Sequence, residues 1–296
     1  MWGKSEVLAQ LRAPEHSFSF EFFPPRDEAG EEVLWRSIDE LQGLGPAFVS
    51  VTYGAGGTTR DRTIEITRRI VAETDLTPVA HLTCVGHTTA ELQEILTSLK
   101  EAGVRHVLAL RGDPPAGPGT EWVPTPGGVD HADELVALVA AFGGFSIGVA
   151  AFPEGHRDAA SLHEDAMVLR RKMDAGATFA VTEMVLRASD YAGLVERAHA
   201  VGVDFPIVPG VMPILNYVSM RRMVEFSGRE FPDEVHARIE PLRDDPDALR
   251  AEGIAIATEL SRDLLALGAP GVHFYTLNRS KATREIHASL TESGQA

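Results

Sequence analysis

Along this chain, short runs of β-branched and aromatic residues alternate with longer stretches of helical period, and the alternation repeats eight times. The short runs are FSFEFF (18–23), FVSVTYG (48–54), PVAHLTC (78–84), HVLALRG (106–112), FSIGVAAF (145–152), FAVTEMV (179–185), PIVPGVM (206–212) and VHFYTLN (272–278). Between them lie amphipathic segments such as EEVLWRSIDELQGL (31–44), TTAELQEILTSLKEAG (88–103) and EDAMVLRRKMDAGA (164–177). Several end in Gly, as helix C-termini often do, and Asp130 and Ser189 are expected to cap later helices.

Eight β–α units without a break in composition predict a (β/α)₈ TIM barrel, with residues 1–296 forming a single domain. The rival is a doubly wound sheet. Its dinucleotide fingerprint, GxGxxG between a strand and a helix, is missing. The runs GAGG (54–57) and PPAGPG (114–119) lack that context and read as loops. Residues 114–129, rich in Pro and Gly, are too long for a routine βα connection and predict a lid or a solvent-facing excursion. Residues 231–253 add a helical element before a long final helix expected over roughly 246–267.

Composition narrows the partners. With 44% apolar and 24% charged residues the chain can bury a substantial core. A net charge of −16 argues against nucleic acid and anionic membranes, which need a basic face. Cys84 is the only cysteine, so there is no intrachain disulfide, and it reads as a buried core thiol. No apolar run approaches a membrane span and the N-terminus lacks a secretory pattern, so a cytoplasmic protein is expected.

The active end of such a barrel lies at the C-terminal ends of its strands. Polar residues recur there: Glu21, Thr52 and Tyr53, His81 and Thr83, Arg111 and Asp113, His156, Glu183, then Tyr275, Asn278 and Arg279. Glu21 poses the sharpest question, because a carboxylate in an apolar strand is costly unless it meets water, a partner or a substrate. Arg111, His156, Lys172 and Arg279 suit phosphates, while zinc spacings and a GxSxG elbow are absent. The residues alone therefore predict a barrel enzyme for an anionic cofactor or substrate, with an acidic general acid or base.

The motifs FSFEFFPPR, FVSVTYGAGG, HLTC, HVLALRGDPP, VAAFPEGH, RRKMDAGA, PIVPGVMP and HFYTLNR carry a closer likeness. In this order, from about residue 18 to 289, they resemble the bacterial methylenetetrahydrofolate reductases. The resemblance implies a TIM barrel with FAD at its C-terminal face and a two-step, ping-pong reaction. NADH or NADPH passes hydride to FAD; 5,10-methylenetetrahydrofolate then binds and is reduced to 5-methyltetrahydrofolate. It implies Glu21 as the acid that protonates the folate as its methylene bridge opens. Such an acid must hold its proton near neutrality, which burial would encourage. Asp113 matches a catalytic carboxylate near the flavin ring. Thr52, Tyr53, His81, Arg111, Gly112, Phe152, His156, Asp165 and Lys172 match positions around FAD, Phe152 standing where Tyr is common. Tyr275 and Arg279 match the positions that close the folate site, and a homo-oligomer is implied.

Two positions depart from the family pattern. Glu183 replaces a Gln that hydrogen-bonds the pterin, and Met223 replaces a Phe that packs on substrate. An amide donates and accepts, whereas an ionised carboxylate only accepts. The departures leave open a paralogue acting on another pterin or cyclic amine, or a non-catalytic folate-binding subunit. NADH and NADPH are not distinguished.

Overall fold

The computed structural model describes residues 6–53, 60–114, 117, 120–229 and 231–292. The eight expected strands are all present: β1 Ser17–Phe22, β2 Phe48–Val51, β3 Pro78–Thr83, β4 His106–Leu110, β5 Ser146–Ala151, β6 Phe179–Met184, β7 Ile207–Val211 and β8 Gly271–Tyr275. They pair in parallel in chain order, and β8 closes on β1 through Ser19↔His273 and Glu21↔Tyr275. The result is the (β/α)₈ barrel that the alternation predicts.

The helices are α1 Glu6–Leu11, α2 Glu28–Gln42, α3 Arg60–Glu73, α4 Thr89–Glu101, α5 Ala132–Phe142 and α6 Leu162–Ala175. They continue as α7 Ala188–Ala200, α8 Tyr217–Phe226, α9 Asp233–Ile239, α10 Pro246–Ala266 and α11 Ser280–Glu292. No helix among the described residues is long and apolar enough to cross a membrane.

Period two along each strand divides its side chains between two cores. On β1, Phe20 and Phe22 join Leu34, Ile38 and Leu41 of α2 in the layer between sheet and helices. Ser19 and Glu21 alternate with them and point into the barrel. Inside, Phe48, Val79, Leu108, Phe179 and Val208 form a second cluster, closed by Val7 and Leu11 of α1. This short helix thus plugs the N-terminal mouth, a role that its few apolar positions did not announce. The interior is apolar below and polar above.

Several expectations are corrected. Asp130 does not cap α5: the N-cap is His131, and Asp130 N–H instead donates to Glu134 Oε2 at 2.8 Å. Ser189 lies inside the first turn of α7, whose N-cap is Arg187. The long helix α10 is not the last, because α11 follows β8 and buries Ala282, Thr283 and Ile286. The GAGG loop and residues 115–116 and 118–119 of the 114–129 segment lie outside the described residues. The end of that segment is fastened to the β3–α4 turn by Gly86 N–H to Thr125 Oγ1 at 3.0 Å and Thr89 N–H to Gly127 O at 2.8 Å.

Candidate functional site

At the C-terminal mouth the strand ends open into a two-lobed cleft. One lobe, of about 400 Å³, contains Glu21, Asp113, Glu183, Met223 and Tyr275. The other, of about 450 Å³, contains Gly112, Asp165 and Lys172. Arg111, Asp113, Phe152, His156 and Asp158 line both and so join them.

Glu21 sits on β1 between two imidazoles. Its Oε2 lies 3.4 Å from His273 Nε2 and 3.3 Å from His81 Nε2, and it accepts from Ser50 Oγ at 3.2 Å. The strand register makes this cluster: Glu21 faces Ser50 across β2, and His273 follows two residues before Tyr275 on β8. His273 is fixed in turn by Ser19 Oγ, 2.8 Å from its Nδ1, and stacks on Phe48 at 5.4 Å. Burial pushes the Glu21 carboxyl up, but hydrogen bonds and charge from His273 and His81 outweigh it and hold it at about 2. The expectation that burial would keep this proton on Glu21 is thereby corrected. The carboxylate is ionised at neutrality, with His81 and His273 in contact with its Oε2.

Glu183 is aimed by an irregularity. The β6–β7 register shifts between Val181 and Met184, where Thr182 Oγ1 accepts from Gly210 N–H at 2.9 Å in place of a ladder carbonyl. Tyr275 OH crosses the barrel mouth to donate to Thr182 O at 2.6 Å. A methyl group at Gly210 would fall 2.6 Å from Tyr275 Cε2, so only glycine leaves room for that crossing. Burial pushes the Glu183 carboxyl up; Arg229 pulls it down, while Glu154 and Asp113 push it further up. Arg229 itself is fixed by donating from Nη1 to Met184 O at 2.6 Å and to Glu154 at 3.0 Å.

The second lobe is of mixed charge: Arg111, Arg171 and Lys172 line it together with Asp113, Asp133, Asp158, Glu164 and Asp165. Lys172, on α6, reaches up to donate to Ala150 O at 2.9 Å, and burial depresses its ammonium to about 8. Asp165 accepts from His156 N–H at 3.2 Å, and burial raises its carboxyl despite that bond and the charge of Lys172. Arg111 pairs with Asp158 at 2.9 Å and lies over Trp122, its Cζ 4.9 Å from the ring. Gly112 turns the chain at φ +84°, and a side chain there would strike Val85.

Four predicted residues lie outside the cleft lining. Thr52 uses its carbonyl to accept from Thr63 Oγ1, and Tyr53 OH is bonded to His87 Nε2 at 3.1 Å. His81 acts on the cleft only through Glu21, and Arg279 is exposed beyond the β8 turn. Cys84 is fully buried and its thiol is pushed up to about 12 by burial, as a core thiol would be. Sequence reasoning missed His273, Ser19 and Ser50, although their two-residue spacing from Tyr275, Glu21 and Thr52 marks them as inward-facing. It missed Arg229 and Asp158 because neither belongs to a strand end.

A carboxylate held between imidazoles, beside a second lobe in which Arg111 and Lys172 stand among carboxylates, marks the C-terminal mouth of the barrel as the candidate active site. Residues 6–291 match the family described as methylenetetrahydrofolate reductase. The chain is 38% identical over 286 residues to the 5,10-methylenetetrahydrofolate reductases of Pectobacterium carotovorum and Escherichia coli, covering 97% of this chain and 93% and 94% of theirs. It is 39% identical to methylenetetrahydrofolate reductase (NADH) 1 of Zea mays, of which it spans 48%. Among solved structures it superposes on a Clostridium thermocellum protein that binds two copies of 5-methyl-5,6,7,8-tetrahydrofolic acid (TM-score 0.64, 10% identity, 98% of each chain). This protein belongs to the methylenetetrahydrofolate reductase family.

Proposed function

We propose that this protein reduces 5,10-methylenetetrahydrofolate to 5-methyltetrahydrofolate, using FAD as cofactor, NADH or NADPH as reductant, and the barrel as one catalytic domain. The observation that carries the reading is the joined cleft, which sets Glu21 and Asp113 in one lobe against Arg111, His156 and Lys172 in the next.

The residues fit a phosphate-bearing flavin. Burial disfavours the Lys172 ammonium, Asp165 and Asp133 offset that only in part, and a bound phosphate would favour it further. Arg111, His156 and Lys172 would hold the pyrophosphate and Asp165 a ribose hydroxyl. Asp113, Gly112 and Phe152 would flank the ring system, with Thr52, Tyr53 and His81 supporting the wall behind it. Bound there, FAD supplies the hydride relay between nicotinamide and folate. The lobe around Glu21 is where the reductant's nicotinamide and the folate would each meet the flavin. Reductant and folate would therefore occupy it by turns, the ping-pong order.

The chain's own chemistry is proton supply and positioning. Glu21, with His81 and His273 in contact with its Oε2, would act as one acid unit that delivers a proton to the folate nitrogen departing as the bridge opens. Once the proton is transferred, the carboxylate faces the cationic iminium and stabilises it. Tyr275, Glu183 and Met223 shape the pterin end of the lobe.

The test is flavin absorbance of the purified protein, followed anaerobically. NADH should bleach it and methylenetetrahydrofolate should restore it. Bleaching without recovery would overturn the substrate, and a protein without flavin would overturn the cofactor.

A further inference from the structure

The pterin lobe contains an arginine whose geometry no step above requires. Arg229 follows α8, is 10% exposed, and donates from Nε to Ser227 Oγ at 3.0 Å as well as from Nη1 to Met184 O and Glu154. Those bonds fix the guanidinium plane. Its remaining nitrogen, Nη2, is buried without a hydrogen-bond partner and lies 3.7 Å from Glu183 Oε2. A buried unpaired donor is costly, and a charged one more so. Glu183 is the carboxylate that the unpaired donor faces, placed there by the β6 irregularity.

We infer that Arg229 is a positioning residue for substrate recognition: it holds the Glu183 carboxylate in place as an acceptor in the cleft, matched to a ligand edge with two adjacent N–H donors. In a reduced pterin, that edge is the 2-amino group beside the ring N–H. The inference rests on the folate reading above. Four other acidic groups, Glu21, Asp113, Glu154 and Asp158, share the lobe with Glu183. A fixed cation offsets the repulsion on this fifth carboxylate, which if protonated would lose one of its two acceptor oxygens. Arg157 is a second cation near it, and Arg229 is bonded both to the β6 backbone and to Glu154.

The pairing also explains why glutamate serves where an amide would be expected. Beside Arg229, a glutamine would turn its oxygen to the guanidinium and its NH₂ to the ligand, setting donor against donor. With the arginine gone, the amide is free to turn its oxygen to the ligand. Glutamate with arginine and glutamine without it are thus alternative solutions, and mixing them fails.

The experiment is a double-mutant cycle on the FAD-loaded enzyme, reading KM for methylenetetrahydrofolate, kcat, and the rate of flavin reduction by NADH. Glu183→Gln and Arg229→Met should each raise KM roughly tenfold or more, with kcat and flavin reduction held within about twofold. Their combination should return KM to within about threefold of wild type, a coupling that a merely structural arginine would not give. A double variant whose losses multiply, or that stays as poor as Arg229→Met, would overturn the pairing. If Arg229→Met loses flavin or melts early, Arg229→Gln, which can still donate to Met184 O, takes its place in the same cycle. A wild-type protein that bleaches but does not turn over the folate would overturn the function and the pairing together; turnover without coupling overturns the pairing alone.

Discussion

His273 Nε2 stands 3.4 Å from Glu21 Oε2 at the seam where β8 closes the barrel on β1, and Ser19 Oγ holds the far nitrogen of the ring at 2.8 Å. The carboxylate is thereby tied to a buried imidazole with a fixed orientation, which helps hold it ionised.

Removing the carboxylate should separate the two half-reactions. Glu21→Gln keeps the shape but can neither pass a proton nor stabilise a cation. Folate reduction should fall by about 10²–10⁴, the usual worth of a positioned acid, while flavin reduction by NADH persists. Stopped-flow absorbance of each half-reaction measures this. Ordinary folate turnover in Glu21→Gln would remove Glu21 from the chemistry. His273→Phe, which can still stack on Phe48, should move the Glu21 titration upward and shift the pH profile of the folate half-reaction alone.

The same carboxylate links stability to acid. Its folded value of about 2 lies below its ordinary 4.5, so its contribution is complete above pH 4.5 and is lost as pH falls through 2. The shift corresponds to about 3 kcal/mol. Denaturant unfolding between pH 5 and pH 2 should therefore show a shallower loss of stability in Glu21→Gln than in wild type. Parallel curves would mean that Glu21 titrates alike in the folded and unfolded chains.

Lys172 gives a dependence at the alkaline end. Its ammonium titrates near 8 because it is buried, and a bound phosphate would raise that value. Affinity for the flavin dinucleotide should accordingly be flat below pH 8 and fall above it, by at most about tenfold per pH unit. Lys172→Met should weaken binding and flatten the slope. Flavin fluorescence titration across pH 7–9.5 reads both, and an unchanged slope in the variant would assign the dependence elsewhere.

The sequence carried the barrel well because each strand is a dense apolar run and each helix an amphipathic one, so period and length agreed at every unit. The first-named site residues were legible for the same reason: Glu21, Asp113 and Glu183 interrupt apolar runs at the active end. What stayed hidden depends on pairing across elements. His273 acquires its meaning from the register that brings it beside Ser19 and Glu21, and nothing local in VHFYTLN distinguishes it from a core histidine. Arg229 lies in a turn after α8 and meets Glu183 only through the fold. Asp130 looked like a cap by type, yet the cap interaction at α5 runs the other way, from its own N–H to the Glu134 side chain. The direction of the Glu21 titration was misjudged because burial was visible in the pattern and the two imidazoles were not.

Arg111 supplies the last prediction. Its guanidinium is held between Asp158, 2.9 Å away on the loop after β5, and the ring of Trp122 on the segment after β4. Asp158 also donates its N–H to His156 Nδ1 at 3.1 Å, so one short loop engages both groups proposed for the pyrophosphate. A carboxylate on that arginine competes with any phosphate that binds there. The aspartate side chain is 54% exposed, so the pair contributes weakly, about 0.2–1 kcal/mol. Asp158→Asn should therefore tighten flavin binding modestly, by up to about fivefold. Trp122 is the natural reporter, since a dinucleotide seated on Arg111 would lie beside its indole and quench it. Titration of flavin-depleted protein, read at both the flavin and the tryptophan, measures the change. Weaker binding in Asp158→Asn would mean that the aspartate presents Arg111 to the phosphate rather than shielding it.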